Sequence, residues 1–185
     1  MINFKQIEFP VYEFDIQDIN WHGNQIGITT TADTPHDTRI ACGSMKYDWD
    51  KAVFSVKDGK QIVPLRDKVL TEQAFDTVAS PFKGTLFEEV YSILNLKFNI
   101  GRVRLMKMTP SVCLSWHTDT QIRLHYPIKT QEGCLMVIDD EVKHLPQNQW
   151  WLTNTLKKHT AFNGSREERI HLVVNVLEDY ADLNL

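Results

Sequence analysis

Two stretches in the C-terminal half of the chain alternate between polar and apolar residues. The first covers residues 121–126 and the second covers residues 169–176. A period of two places successive side chains on opposite faces of an extended backbone, so both stretches are predicted to be β-strands. Each strand would then bury its apolar face against the rest of the protein.

The polar faces of these two strands carry the same pair of residue types. Arg123 and His125 share one face of the first strand, and Arg169, His171 and Asn175 share one face of the second. An antiparallel strand with a solvated outer face shows the same alternation, so the pattern alone leaves two interpretations open. The repeated Arg-x-His pair favours the other interpretation, in which both faces line a polar cavity between two sheets.

The rest of the chain predicts a mainly β domain with a flanking helix. Apolar residues recur at helical spacing over residues 85–95, and Thr85 with Glu88 forms a plausible capping box before them. Residues 1–80 mix short extended pieces with turns, and short strands and turns follow one another from Asn99. This succession predicts a small antiparallel barrel or sandwich, and a length of 185 residues predicts one domain.

Composition narrows the class of protein. The formal net charge of −4 and the pI of about 6.0 give no basic surface for nucleic acid. The three cysteines are widely spaced and form neither a disulfide framework nor a zinc motif. No apolar N-terminal segment and no apolar run of membrane-spanning length is present in the sequence. We therefore expect a cytoplasmic protein that acts without nucleic acid or membrane.

Candidate metal ligands lie in the segment His117-Thr118-Asp119 and at His159. Seven histidines and 24 acidic residues in 185 make about one His-x-Asp/Glu match expected by chance, and one is found. The surrounding pattern gives it weight. Two imidazoles and one carboxylate form the facial triad of non-haem Fe(II) oxygenases, which leaves coordination positions open.

The spacing of these residues is consistent with one site. His117 and Asp119 are two residues apart, so an extended segment points both to one side. His159 can join them if a later strand returns beside the first, as in a double-layered antiparallel barrel. Arg169 follows His159 by ten residues and could supply a fixed cation for a cosubstrate carboxylate. Together these residues suggest an iron oxygenase that uses 2-oxoglutarate.

The segment from Gly101 to about Leu177 resembles the aspartyl/asparaginyl β-hydroxylase family of Fe(II)/2-oxoglutarate oxygenases. The resemblance covers about 75 of the 185 residues, and its order and spacing are more specific than any single motif. The matching segments are Arg102–Pro110, His117–Asp119, Arg123–Pro127, Trp150–Asn154, His159–Asn163 and Arg169–Val173.

The resemblance implies a fold and a set of roles. The fold would be a double-stranded β-helix, a jelly-roll and cupin-like core with flanking helices. His117, Asp119 and His159 would be the catalytic iron ligands. Arg169 would bind the distal carboxylate of 2-oxoglutarate. The other predicted cosubstrate-binding residues are Arg123 and His125, near its C1 carboxylate and keto end, and His171.

The chain departs from the family pattern at several places. Many relatives have Pro-Gly where this chain has Pro110-Ser111, and the Gly-Glu turn before the tryptophan strand is replaced by Gln147-Asn148-Gln149. An acidic residue often found after that turn is Thr153 here, and His171 stands where many 2-oxoglutarate oxygenases have Ser or Thr. Some animal members lack the carboxylate ligand, which this chain keeps as Asp119.

We therefore predict a single oxygenase domain over residues 1–185. Residues 1–98 would form the N-terminal flanking and helical part, and residues 99–178 the double-stranded β-helix core. The enzyme would use O2 and 2-oxoglutarate to hydroxylate a C–H bond, with release of succinate and CO2.

Two substrates remain open at this point, and so does a different class of function. The substrate could be an aspartyl or asparaginyl residue of a peptide, or a free amino acid such as proline. A non-oxygenase cupin-like metal-binding protein is the alternative. It would need neither Arg169 nor O2.

Overall fold

Both alternating stretches are β-strands, and they lie side by side. The computed structural model describes residues 2–48, 51–57 and 59–178; residues 1, 49, 50, 58 and 179–185 of the predicted domain lie outside the described residues. The described strands are β1 (Phe4–Ile7), β2 (Gln25–Gly27), β3 (Thr29–Thr30), β4 (Val53–Ser55), β5 (Lys60–Ile62), β6 (Thr77–Val78), β7 (Ile100–Met108), β8 (Val112–Cys113), β9 (Ile122–Lys129), β10 (Cys134–Ile138), β11 (Glu141–His144), β12 (Trp150–Thr153), β13 (His159–Asn163) and β14 (Arg169–Val176).

The strands from β7 to β14 are distributed between two antiparallel sheets. The larger sheet has the order β1-β12-β9-β14-β7-β2, and the smaller has the order β11-β10-β13-β8. Along the chain, β7, β9, β12 and β14 enter the larger sheet, and β8, the β10–β11 hairpin and β13 enter the smaller one between them. This alternation is the connectivity of a double-stranded β-helix. The predicted jelly-roll core is confirmed.

The N-terminal part of the chain completes the larger sheet at both edges. β1 pairs with β12, and β2 pairs with β7, both antiparallel. β3 pairs with β6 and β4 with β5 in two small additional sheets. The strands of the N-terminal part therefore cover edges that a free β-helix core would expose. In the described part of the chain, no helix combines the length and the apolar character needed to cross a membrane.

The apolar faces of β9 and β14 pack against a helix. Leu124 and Val174 are fully buried in one cluster with Phe87, Val90 and Leu94. Those three come from helix α1 (Leu86–Lys97), and two short 3-10 helices, Glu72–Ala74 and Ser80–Phe82, precede it. Burial of the apolar face leaves the Arg/His face of each strand turned toward the smaller sheet.

Helix α1 begins where the sequence predicts, after Thr85, but the predicted capping box is replaced by two other hydrogen bonds. The Thr85 hydroxyl accepts a hydrogen bond from the Phe87 backbone N–H at 3.2 Å. The Glu88 carboxylate accepts one from the Gly84 N–H at 2.6 Å, so it reaches one residue further back than a standard capping box. The helix ends at Lys97, two residues beyond the predicted end, and Lys97 lies favourably at the negative end of the helix dipole.

Two of the departures from the family pattern share one backbone property. Ser111 and Asn148 both have positive φ angles, each 61°. Glycine adopts this left-handed region without a steric penalty, whereas a residue with a Cβ atom pays for it. At these two positions, where many relatives have a turn with glycine, the backbone of this chain still adopts the left-handed conformation. The steric cost is larger at Ser111, because asparagine tolerates this conformation better than serine.

Ser111→Gly is expected to raise the free energy of unfolding by about 1 kcal/mol, since it removes a left-handed serine from the turn between β7 and β8. Urea denaturation of both proteins measures the difference. Ser92→Gly, in the exposed part of helix α1, is the control and should lower stability by a similar amount. A loss of stability in Ser111→Gly would contradict the steric argument.

Candidate metal and cosubstrate site

The three candidate metal ligands converge at one end of the two sheets. The ligand atoms of His117, Asp119 and His159 all lie within 4.8 Å of one another. A β-bridge joins the two histidines, with His117 N–H to His159 O at 3.0 Å and His159 N–H to His117 O at 2.8 Å. The Asp119 N–H donates to Thr155 O at 2.9 Å. The backbone therefore holds all three side chains before any ligand binds.

Backbone carbonyls set the orientation of both imidazole rings. His117 Nδ1 donates to Ser115 O at 2.8 Å, and His159 Nδ1 donates to Lys157 O at 2.9 Å. In each case the carbonyl lies two residues before the histidine. A proton on Nδ1 leaves the lone pair on Nε2, which is the arrangement that a metal-binding histidine needs.

The carboxylate of Asp119 is held as an anion. Its Oδ2 atom lies 2.7 Å from Arg123 Nη2 and 3.3 Å from His159 Nε2. Burial opposes ionisation of this carboxyl group, but the nearby His159 imidazole and the charge of Arg123 outweigh burial and lower its pKa. One anionic and two neutral donors suit a divalent cation. The same donors can bind zinc, so the donor set fits iron without selecting it.

A cavity of about 170 Å³ extends from these ligands between the two sheets. Apolar residues come from both sheets, with Met106 and Met108 beside His171 and Arg169 on the larger sheet and Met136 and Ala161 on the smaller one. The cavity is lined by Asn24, Gln25, Met106, Lys107, Met108, Val112, Leu114, His117, Arg123, His125, Met136, His159, Ala161, Arg169, His171 and Val173. Both Arg-x-His faces therefore line a cavity, as the second sequence interpretation predicts.

Arg169 presents a buried cation to this cavity. Its relative solvent exposure is 8%, and no described carboxylate forms an ion pair with it. Its Nε and Nη2 atoms lie 2.9 Å from Nε2 and Nδ1 of His171. A neutral imidazole has only one unprotonated nitrogen, so one of these contacts at a time is a hydrogen bond. Burial lowers the pKa of Arg169 to about 10, which keeps the guanidinium charged at neutral pH.

His125 lines the same cavity, where Arg169, Arg123 and His159 act on it electrostatically. Its Nδ1 atom is 3.4 Å from His171 Nδ1, and its buried Nε2 atom has no hydrogen-bond partner in the described structure. Burial, followed by the charges of Arg169 and Arg123, holds its pKa well below the usual range. Burial and Arg169 do the same to His171. Both imidazoles are therefore neutral at neutral pH, and His125 has one polar atom available for a ligand.

The buried histidines predict a pH dependence of stability. Unfolded His125 and His171 take up protons as the pH falls below about 6.5, whereas the folded imidazoles do not. The free energy of unfolding of the metal-free protein should therefore fall by up to about 1.4 kcal/mol per pH unit for each group. Urea denaturation between about pH 6.5 and 5.5 tests this. His125→Asn should flatten the slope, and the exposed control His36→Asn should not.

Arg123 lines the cavity, but its guanidinium pairs with Asp119, one of the candidate metal ligands. The Nη2 atom contacts Asp119 Oδ2, and the side chain is 14% exposed. The sequence left Arg123 open to cosubstrate or substrate. The observed contact indicates that the Arg123 guanidinium orients the carboxylate of Asp119 and neutralises its charge.

Sequence reasoning missed a second charged group behind the cavity. Arg102 is buried and forms an ion pair with Glu72, with 2.8 Å between Nη2 and Oε1, and Asn175 Nδ2 donates to the same oxygen at 2.8 Å. Arg104 lies two residues further along β7 and is also buried. The sequence does contain a pattern that predicts these buried arginines, because polar and apolar residues alternate over Arg102–Leu105 as they do in β9 and β14.

A model of the aspartyl/asparaginyl β-hydroxylase family matches residues 22–179. The chain belongs to this family. The match extends well before Gly101, where the visible motifs begin, and thus includes β2 and helix α1.

This family member is also similar to several known proteins. L-proline cis-4-hydroxylase of Rhizobium meliloti (strain 1021) is 22% identical over 145 residues, which are 74% of this chain and 49% of that protein. The chain thus spans about half the length of this curated relative.

Similar solved structures include AviO1 from Streptomyces viridochromogenes Tue57, with 14% identity, a TM-score of 0.39 and coverage of 77% of this chain and 79% of that one. Another is a 2OG-Fe(II) oxygenase-family oxidoreductase from Burkholderia pseudomallei, with 14% identity, a TM-score of 0.39 and coverage of 62% and 61%. The family assignment depends on the match of residues 22–179, and these distant structures add no argument about chemistry.

Proposed function

We propose that this β-hydroxylase family member is an Fe(II)/2-oxoglutarate-dependent dioxygenase that hydroxylates an amino-acid substrate. The observation that carries the proposal is the buried guanidinium of Arg169, which has no carboxylate partner among the described residues and lies in the cavity that His117 and His159 also line. A buried unpaired cation is costly unless a ligand neutralises it. A diacid cosubstrate that reaches from the metal to Arg169 would do so.

The assignment of roles follows from position. His117, Asp119 and His159 would hold the iron, with Arg123 keeping Asp119 ionised and in place. Arg169 would bind the distal carboxylate of 2-oxoglutarate. When bound, iron and 2-oxoglutarate supply the oxidising power that lets O2 convert a C–H bond to C–OH, with succinate and CO2 as by-products.

The remaining cavity residues would orient the cosubstrate and exclude water. His171 contacts Arg169 along its guanidinium edge and would limit the directions from which a carboxylate can approach. The free Nε2 of His125 would donate a hydrogen bond to the C1 and keto end, in the neutral tautomer that carries its proton on Nε2. Met106, Met108 and Met136 would pack against the methylene groups and keep bulk water from the metal.

The substrate is proposed to be an amino acid or an aspartyl or asparaginyl residue, and the chain is proposed to act as one catalytic domain. The similar protein from Rhizobium meliloti is named for hydroxylation of L-proline, and the family is named for aspartyl and asparaginyl residues. The small cavity supports a compact reacting group. A cupin-like metal-binding protein without oxygenase activity is the competing function.

One experiment separates the two functions. The protein is loaded with Fe(II) and 2-oxoglutarate without O2, mixed with a panel of amino acids and aspartyl or asparaginyl peptides, and then exposed to air. We expect 2-oxoglutarate-dependent succinate release that at least one panel member stimulates, and none from protein loaded with Zn(II). Tight metal binding without 2-oxoglutarate binding or O2 consumption would establish the non-oxygenase alternative.

A further inference from the structure

The hairpin formed by β4 and β5 lies outside both main sheets. Its strands pair with each other in a separate two-stranded sheet, and a bridge between Tyr47 and Leu65 extends this antiparallel pairing. We refer to residues 46–69, of which 49, 50 and 58 lie outside the described residues, as the ribbon. A two-stranded hairpin by itself is at best marginally stable in water, which predicts that another surface packs against the ribbon.

The ribbon is rich in exposed apolar residues and carries a positive net charge. Among the described residues, seven of the fourteen large apolar side chains that are exposed lie between Tyr47 and Val69. Phe54 is 66% exposed and Val56 is 88% exposed. The ribbon sequence contains six Lys or Arg residues and four Asp residues, which gives +2 in a chain whose net charge is −4. Exposed apolar residues concentrated in one segment mark an interaction surface.

The negative charge of the chain is concentrated in its N-terminal part. Residues 6–38 contain six acidic residues and no Lys or Arg. Two cavities of about 500 and 230 Å³ adjoin there, because both have Asp18, Ile19, Pro81 and Phe82 in their walls. We refer to the two cavities together as the acidic groove. The wall of the larger one also includes His22, His36 and Arg39.

The acidic groove combines an apolar wall with carboxylates that have no cation beside them. Phe82 belongs to the main hydrophobic core, so the apolar wall is fixed in place. Asp15 and Asp18 are exposed in the groove, and neither forms an ion pair in the described part of the chain. Asp37 differs, because Arg39 Nε lies 3.7 Å from its carboxylate. An occupant with apolar side chains and a positive charge fits this groove.

We propose that the ribbon of a second copy of this chain docks in the acidic groove, and that a two-fold dimer makes this contact twice. The exposed apolar residues of the ribbon would pack against the apolar wall of the groove. Lys57 and Lys60 are exposed, have no described ion pair, and would contact the carboxylates of Asp15 and Asp18. A two-fold axis makes the two contacts identical and closes the assembly at two chains. This inference does not depend on the proposed function.

Charge favours a second copy over a lipid surface as the occupant. An anionic membrane attracts lysines, but it would repel the four aspartates of the ribbon. Lys51 is already paired within the ribbon, with Asp48 at 3.1 Å and Asp67 at 3.5 Å. A membrane would also leave the acidic groove without an occupant. A second copy accounts for the exposed ribbon and for the acidic groove with one contact, and their net charges are opposite.

Sedimentation equilibrium of the 185-residue chain tests for the dimer. Concentrations from about 1 to about 100 µM resolve a dissociation constant in the micromolar range. We expect a species with twice the 21.5 kDa mass of one chain, and we expect high salt to weaken the association. A monomer throughout this range, or open-ended association, would overturn the proposal and leave the ribbon to a different partner.

Charge reversal tests which surfaces are in contact. One variant combines Asp15→Lys with Asp18→Lys, and a second combines Lys57→Asp with Lys60→Asp. Each variant alone would place like charges in both contacts, so its dimer dissociation constant should rise at least about tenfold. An equimolar mixture of the two should dimerise again. In the mixed dimer the unchanged ribbon contacts the unchanged groove, and the two reversed surfaces contact each other.

The matched control for charge is Asp140→Lys combined with Glu141→Lys. It changes the net charge by the same amount as the groove variant, at exposed residues where β11 begins, outside the acidic groove. It should dimerise as the wild type does. Dimers that persist in both reversed variants, or a mixture of the two that stays monomeric, would refute the assignment of these surfaces.

An apolar substitution tests the same contact without a change of charge. Val56→Ser should raise the dimer dissociation constant at least about tenfold, because both contacts lose a buried side chain. Val142→Ser, 57% exposed on β11, is the control and should dimerise as the wild type does. The melting temperature of Val56→Ser should match the wild type in dilute solution and fall below it at high concentration, where dimerisation stabilises the wild type. Equal association of Val56→Ser and wild type would contradict the proposal.

Discussion

His159→Ala is expected to reduce the affinity for Fe(II) by more than about 100-fold and to abolish 2-oxoglutarate-dependent succinate release. Loss of residues that merely support metal ligands typically costs 10–100-fold, so loss of a ligand should cost more. His159 is 3% exposed and brings Nε2 to within 3.3 Å of the Asp119 carboxylate. No other described histidine is close enough to replace it in the three-residue cluster. Anaerobic titration with Fe(II), monitored by calorimetry, measures the affinity.

The control for this variant is His36→Ala, which removes an exposed imidazole outside the metal cluster. It should keep the affinity and the activity of the wild type. Asp119→Ala should also weaken metal binding, and it would leave Arg123 without its carboxylate. An iron affinity of His159→Ala within a few-fold of the wild type would contradict the proposed ligand set.

The sequence was most informative where strands are long. β9 and β14 each contain eight residues, enough for the alternation to assign one face to the apolar core and the other to the cavity. β2 and β3 contain three and two residues, and no periodicity can be recognised over such lengths. Their pairing depends on tertiary contacts, such as the hydrogen bond from Val103 N–H to the Thr29 hydroxyl, 74 residues away.

The candidate site likewise combines features that the sequence reveals with features that depend on tertiary contacts. The candidate metal ligands and Arg169 could be predicted as a site from their residue types and their order along the chain, which resemble the family pattern, and their roles stay a prediction. The pairing of Arg102 with Glu72 could not, since the partners are 30 residues apart and meet only after β7 packs on a 3-10 helix. The contact of Arg123 with Asp119 was also missed, because the backbone between them bends before β9 begins.

Arg169→Ala is expected to raise the 2-oxoglutarate requirement by roughly 30-fold or more. Loss of one partner of a desolvated charge-assisted pair typically costs ~2–5 kcal/mol, and ~1.4 kcal/mol corresponds to a factor of ten. Arg169 meets the conditions for such a cost, since it is fully charged at neutral pH, buried in the cavity wall and without a described carboxylate partner. The affinity of the Arg169→Ala protein for 2-oxoglutarate can be measured by anaerobic calorimetry with Fe(II) bound.

Arg169→Lys should recover only part of this affinity. A lysine ammonium is a point charge, whereas the guanidinium presents two parallel N–H groups whose direction His171 fixes from one side. Arg166→Ala, three residues earlier and exposed, is the matched control and should bind 2-oxoglutarate as the wild type does. Equal affinity in wild type, Arg169→Ala and Arg169→Lys would place the distal carboxylate elsewhere.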